Sequence, residues 1–325
     1  MKNNMGYFLL LAFLISSQQL ISSELASLGL HVIPYPRQIE TGGPDFVIPG
    51  RLTLVLDNKP SASDLFTAKE LIFDLKREFG IESEIGAKGK YPAIRLTRFA
   101  DSKSIPKQGY KITTGKSELT IQASSDDGLF YGTKTLLQLI FKKDGEYAIP
   151  GINITDWPDI QERAVHYDTK HHQDNLEYVK SFIKDLSRYK INMLVWEWED
   201  KFAYPSHPEI GEPGAVTIKE MQDFTRYAKQ YHIQIVPLVQ GLGHVSFILK
   251  WLKYKPLSEI EASNWECCPL KQGSYDLLFD LWQDAVEATP CSNYIHIGCD
   301  EVYELGACEN CKAEIREIGK DGLTL

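Results

Sequence analysis

No cysteine occurs before position 267; the six in the chain are Cys267, Cys268, Cys291, Cys299, Cys308 and Cys311. A disulfide framework is thereby excluded for most of the fold, which must hold by burying apolar surface. No Gly-x-Gly-x-x-Gly and no phosphate-loop motif is present, which disfavours a nucleotide-binding sheet. No basic run is available to neutralise phosphates, and the formal net charge is -9, so a nucleic-acid partner is not expected. Internal repeats and low-complexity tracts are also missing, which sets aside a repeat array. The apolar run from Tyr7 to Ile15 is too short to span a bilayer comfortably, so stable membrane insertion is not expected. No cysteine follows that run, and a lipid attachment is not indicated.

The 325 residues, 43% hydrophobic and 24% charged, suit a globular protein of about two domains. Residues 1–26 read as an export signal: Lys2 gives a weak positive start, the apolar run follows, and small residues lie around Ser22, Ser23 and Ala26. The implied location is periplasmic or secreted. The other reading of this stretch is a buried N-terminal helix.

Residues 27–150 read as a small α+β domain. Leu52–Leu56 is a strand. Asp64–Phe79 is an amphipathic helix with Leu65, Ala68, Leu71, Ile72, Leu75 and Phe79 on one face, ended by Gly80. Strands follow at Ala93–Leu96, Gly109–Thr113 and Leu119–Ala123. Ser125 or Asp126 then caps a second helix, Gly128–Phe141. The turn-rich stretch from Ile149 to Asp159 reads as a linker.

From 151 to 325 strands and helices alternate. The strands are Arg163–Asp168, Ile191–Trp196, Ile233–Val239 and Asn293–Gly298. The helices are Asn175–Tyr189, Thr217–His232, opening on the capping box Thr217-x-x-Glu220, and Ser274–Ala288. Such alternation means a parallel sheet with helical crossovers. Periodicity alone does not separate a barrel from an open doubly wound sheet.

In a parallel barrel the carboxyl ends of the strands converge on one face. Those ends supply Asp168, then Glu197, Glu199 and Asp200, then Gln240 and His244, then Asp300 and Glu301. Acids gathered with a histidine suit acid-catalysed attack on a neutral, hydroxyl-rich substrate such as a sugar. Trp196, Trp198, Phe202 and Tyr204 lie nearby as stacking faces for a sugar or, the reading favoured for each, as core. Asp300 and Glu301 follow Gly298 with one residue, Cys299, between, and either serve a site or start the next helix. Cys308-Glu309-Asn310-Cys311 has a metal-knuckle or redox spacing. Cys267 and Cys268 are the available further ligands for zinc, and the competing readings are disulfides or no special role.

The run His296-Ile297-Gly298-Cys299-Asp300-Glu301, a His-x-Gly-x-Asp-Glu pattern, resembles the signature of glycoside hydrolase family 20, the β-N-acetylhexosaminidases. Arg163, the Glu199-Asp200 pair and Gly243-His244 stand in the matching order. The phrase from Ser125-Asp126-Asp127-Gly128 to Leu139 resembles the second helix of the accessory domain that precedes the barrel in that family.

The resemblance implies a (β/α)8 TIM-barrel catalytic domain, of which 151–325 holds only about the first half, preceded by a hexosaminidase-type accessory domain over 27–150. It implies removal of terminal N-acetylhexosamine from glycans by substrate-assisted retaining hydrolysis, with no metal or organic cofactor. Glu301 would be the general acid, in an apolar or acid-crowded setting. Asp300 would hold the acetamido group of the substrate. Arg163, Glu199, Asp200 and His244 would bind the sugar. The family's later strands add tryptophans and a tyrosine around the sugar. Val195-Trp196-Glu197 replaces the usual histidine-tryptophan-histidine, and Gln240-Gly241-Leu242-Gly243-His244 replaces the usual methionine-proline-glycine-histidine loop, which marks a divergent branch. The alternatives are another retaining glycosidase with a similar accessory domain, of family 84 or α-glucuronidase type, or an inactive or glycan-binding fragment.

Overall fold

A computed structural model describes residues 25–87, 92–101, 103 and 105–323. The export signal expected over 1–26 lies outside these residues except for its last two. The chain divides into two compact units, 1–161 with 188–190, and 162–187 with 191–325. Among the described residues no helix is long and apolar enough to cross a membrane.

The first unit is built on ten strands: β1 (Gln38–Thr41), β2 (Phe46–Ile48), β3 (Arg51–Leu56), β4 (Glu82–Ile85), β5 (Ala93–Arg98), β6 (Tyr110–Thr114), β7 (Glu118–Ala123), β8 (Phe141–Lys143), β9 (Glu146–Ile149) and β10 (Ile152–Asp156). Seven form a mixed sheet in the order β1-β10-β6-β7-β5-β3-β4, and β2-β9-β8 form a small second sheet. Helices α1 (Ala62–Phe79) and α2 (Asp126–Gln138) pack on each other. Ser61 and Asp64 close a capping box on α1, and Gly80 ends it in the left-handed conformation at φ 67°. Ser125 accepts from the Gly128 N–H at the start of α2. The turn-rich stretch after Ile149 contains β10, which alternates buried Ile152 and Ile154 with partly exposed neighbours and sits inside the sheet.

The second unit is a four-stranded sheet, β11 (Ala164–Asp168), β12 (Met193–Glu197), β13 (Gln234–Gly241) and β14 (His296–Gly298), parallel throughout and in chain order. Helices α3 (Leu176–Arg188), α4 (Ile218–Gln230) and α6 (Gln272–Ala288) are the crossovers, with the short α5 (Ser246–Leu249) between β13 and α6. Each helix buries an apolar stripe: Val179 and Ile183 on α3, Met221 and Phe224 on α4, Leu277, Leu278 and Leu281 on α6. Trp196 packs edge-on between Tyr167 and Phe224, with ring centroids 5.4 and 5.3 Å away.

The register sets Asp168 beside Glu197 and Glu197 beside Leu238. An irregularity between Leu238 and Gly241 then brings Gly241 level with Gly298. The following helix, α7 (Glu309–Ile318), starts well past the acid pair and is capped by Cys308. Asp300 and Glu301 therefore do not serve as helix-starting acids.

The entry to α4 is a reciprocal cap. The Glu220 carboxylate accepts from the Thr217 N–H at 2.9 Å, and the Thr217 hydroxyl accepts from the Glu220 N–H at 3.3 Å. Thr217→Ala is expected to cost about 1 kcal/mol, measured as a lower urea midpoint with unchanged slope; an unchanged midpoint would contradict the cap's contribution.

Candidate active site

Glu197, at the end of β12, is 1% exposed, and a carboxylate that deep needs partners. Gln240 Nε2 donates to it at 2.8 Å, His166 Nε2 lies 3.0 Å from its other oxygen, and Lys170 Nζ is 3.5 Å away. Lys170 also reaches Asp168 at 3.2 Å. Burial works against charge on Asp168, but the Lys170 N–H and ammonium outweigh it and hold the acid below its usual range.

The chain then turns sharply. Glu199 has φ 45°, a left-handed value rare outside glycine, and opens a 3-10 turn ending at Lys201. Its side chain is withdrawn from water, so burial first, and the neighbouring Glu197 charge second, push its carboxyl up to about 8 against the pull of Lys170. Asp200 is the opposite case. Burial opposes its charge, but Lys201 at 2.7 Å and Lys250 at 2.6 Å hold it ionised, below the usual range.

The loops after β13 and β14 meet backbone to backbone. A Cβ on Gly243 would lie 2.4 Å from the Asp300 carbonyl oxygen, and one on Gly298, at φ 68°, would lie 1.9 Å from Gln240 Oε1. Only glycine fits either place. Leu242, His244, Cys299 and Glu301 all have φ between 52° and 70°, a concentration of left-handed residues of the kind held at functional sites. His244 Nε2 lies 3.4 Å from Asp300 Oδ2 and 3.2 Å from Glu301 Oε2. The imidazole packs on Trp265, centroids 4.4 Å apart, and the Trp265 indole donates to the Glu301 carbonyl at 2.9 Å. The Tyr303 hydroxyl bonds the Glu301 carboxylate, which raises the phenol's own pKa.

Of the residues singled out from sequence, His244, Asp300 and Glu301 are in mutual contact. Glu199 and Asp200 occupy the turn after β12. Arg163 stands just before β11, five residues ahead of Asp168, at the amino end of the strand; its N–H donates to Asn192 Oδ1 at 2.7 Å. The side chains of Asp300 and Glu301 are 61% and 48% exposed. The setting of Glu301 is thus half open, with an acid, a histidine and a phenol around it; the buried, acid-crowded setting is at Glu199. Trp196, Trp198, Phe202 and Tyr204 are buried core, as favoured from sequence.

Sequence reasoning missed His166, Lys170 and Trp265. His166 was legible in principle, two residues before Asp168 and so on the same strand face. Trp265 sits in the long β13–α6 connection, where spacing carries no signal.

A parallel sheet with crossover helices and carboxylates on its carboxyl rim is the frame of the barrel hydrolases. The sequence matches two family models: glycosyl hydrolase family 20, domain 2, over residues 29–157, and glycosyl hydrolase family 20, catalytic domain, over residues 161–324. The chain belongs to glycosyl hydrolase family 20. It has the family's α/β fold with an accessory domain. Its relatives include a β-hexosaminidase of Porphyromonas gingivalis, 24% identical over 90% of this chain and 41% of that protein. Among solved structures it resembles a β-N-acetylhexosaminidase of Streptomyces coelicolor, with 25% identity, TM-score 0.73, and 89% of this chain and 64% of that one covered. It also resembles an exo β-N-acetylglucosaminidase of Vibrio harveyi, with 21% identity, TM-score 0.74, and coverage of 90% and 51%. The chain thus spans about two fifths of the length of the P. gingivalis relative.

Glu199 keeps its proton in the folded state and releases it on unfolding between the ordinary glutamate value and about 8. Stability therefore falls as pH rises through that window and levels off above it. Glu199→Gln removes the ionisation. The wild-type Tm should drop more steeply from pH 5 to about 9 than the variant's, and parallel curves would contradict the burial argument.

Proposed function

We propose that this chain carries the catalytic acid pair of a β-N-acetylhexosaminidase, which removes terminal N-acetylhexosamine from glycans by substrate-assisted retaining hydrolysis. The observation that carries the reading is the contact of His244 with both Asp300 and Glu301 where the β13 and β14 loops touch. Family membership and the relatives' names support it, and the V. harveyi relative was solved in complex with N-acetylglucosamine. The four parallel strands are read as the first four of a (β/α)8 barrel, a reading supported by their chain-order pairing.

In this mechanism Glu301 protonates the glycosidic oxygen while the substrate's acetamido oxygen attacks the anomeric carbon from the other face. The bond to the leaving sugar breaks, and a cyclic oxazolinium ion remains. Asp300 accepts the acetamido N–H and offsets the ion's positive charge. Glu301, now a carboxylate, takes a proton from water, which adds to the anomeric carbon and reopens the ring, giving retention. His244 positions both carboxylates.

Around the sugar, the ionised Asp200 accepts from hydroxyls. Glu199, protonated at neutral pH, donates to them; Arg163, set at the amino end of β11, is carried as a hydroxyl ligand on the family resemblance alone. The acid pair is half open to solvent, which suits a saccharide chain projecting into it.

The test is hydrolysis of a chromogenic β-N-acetylglucosaminide by the full chain. Glu301→Gln should lower kcat by about 100-fold or more, and Asp300→Asn should slow 2-acetamido substrates selectively. Equal rates for the wild type and Glu301→Gln would sink the assignment.

A further inference from the structure

Below the acid-bearing loop lies a second cluster that hydrolysis does not use. Glu259, Cys268, Cys308 and Cys311 each present one ligand atom, and these atoms all lie within 4.8 Å of one another. We propose that these four residues bind a structural zinc ion.

The spacings suit a shared tetrahedral centre. Cys268 Sγ is 3.8 Å from Cys308 Sγ and 3.5 Å from Cys311 Sγ, and Cys311 Sγ is 3.5 Å from Glu259 Oε2. Zinc–sulfur bonds of about 2.3 Å and zinc–oxygen bonds of about 2.0 Å at tetrahedral angles put sulfurs about 3.8 Å apart and sulfur and oxygen about 3.5 Å apart. The cluster therefore accepts the ion with side-chain adjustments of a few tenths of an ångström. Three thiols cannot all be paired as disulfides, and any one pairing leaves a thiol beside the buried Glu259 carboxylate. A dication satisfies all four at once.

The backbone around the cluster is arranged as metal sites require. Cys308 caps α7, and the Cys311 N–H points at Cys308 Sγ at 3.4 Å, an N–H···S contact that offsets negative charge on the sulfur. The Cys308 N–H occupies Glu259 Oε1 at 2.9 Å, which orients the carboxylate and leaves Oε2 toward the sulfurs. Glu259, Cys268 and Cys311 are buried, the two cysteines in one apolar cluster with Leu305 and Leu323. Cys308 is only partly buried and gives the ion a way in. Three sulfurs and one oxygen in a closed four-ligand set favour zinc over calcium or magnesium and leave no open position for catalysis.

The ion would tie the segment 259–268 to the segment 308–311, and so would brace the loop between β14 and α7. Trp265 and Glu266 lie in the first segment. They hold that loop directly, the indole through the Glu301 carbonyl and Glu266 through the Glu304 N–H at 2.6 Å. Zinc is thus a positioning element, and its presence does not depend on the hydrolytic reading.

The experiment is elemental analysis of the full chain after incubation with zinc under reducing conditions and desalting. About one zinc per chain is expected, lost in Cys311→Ser, reduced in Glu259→Gln and kept in Cys291→Ser. To separate zinc loss from misfolding of Cys311→Ser, the wild type is also treated with a chelator: its Tm should fall and recover with zinc. Cobalt(II) in place of zinc should show a tetrahedral spectrum with thiolate charge transfer. No zinc retained by the reduced wild type, or a native disulfide joining two of Cys268, Cys308 and Cys311, would overturn the proposal.

Discussion

Gly243 touches the carbonyl of Asp300 with no room for a side chain between them, and the arrangement of the acid rim depends on that contact. It brings the connection after β13 against the connection after β14. His244, the next residue, is thereby carried to both carboxylates, and a larger residue at 243 would push the loops apart. The cost appears as left-handed backbone at Leu242, His244, Cys299 and Glu301, a conformation disfavoured for residues with side chains and kept only where the surroundings enforce it. Trp265 enforces it from outside by packing on His244 and bonding the Glu301 carbonyl.

The rim also sorts its carboxylates by environment. Glu197 is buried but amply partnered. Glu199, next but one along the chain, is buried beside that charge and holds its proton to about 8. Asp200 is pinned ionised by two ammonium groups. Asp300 and Glu301 face water. Three acids within four residues of β12 and its turn thus take three different electrostatic states from their surroundings alone.

Much of the second unit was legible because buried parallel strands and amphipathic crossovers write strong periodicities. The three crossover helices α3, α4 and α6 were placed from sequence to within a few residues. In the first unit β1, β2, β4, β8, β9 and β10 were missed. They are three to five residues long and several are largely exposed, so pairing rather than pattern defines them. At the rim, the residue types and their order could be read, since strand ends are predictable. Protonation could not: Glu199 and Asp200 are adjacent and chemically alike, and what separates them is three-dimensional, burial beside Glu197 for the one and the placing of Lys201 and Lys250 for the other. The Cys308-x-x-Cys311 knuckle was legible too, whereas Glu259, nearly fifty residues away, was not.

The central claim is that the substrate's own acetamido oxygen attacks while Asp300 steadies it and Glu301 supplies the proton. It is tested most directly by turnover of aryl β-glucosaminides whose N-acetyl methyl carries zero, one, two or three fluorines. Fluorine withdraws electrons from the amide oxygen and weakens it as a nucleophile. The account predicts a kcat that falls with each fluorine; a rate indifferent to fluorination would contradict it.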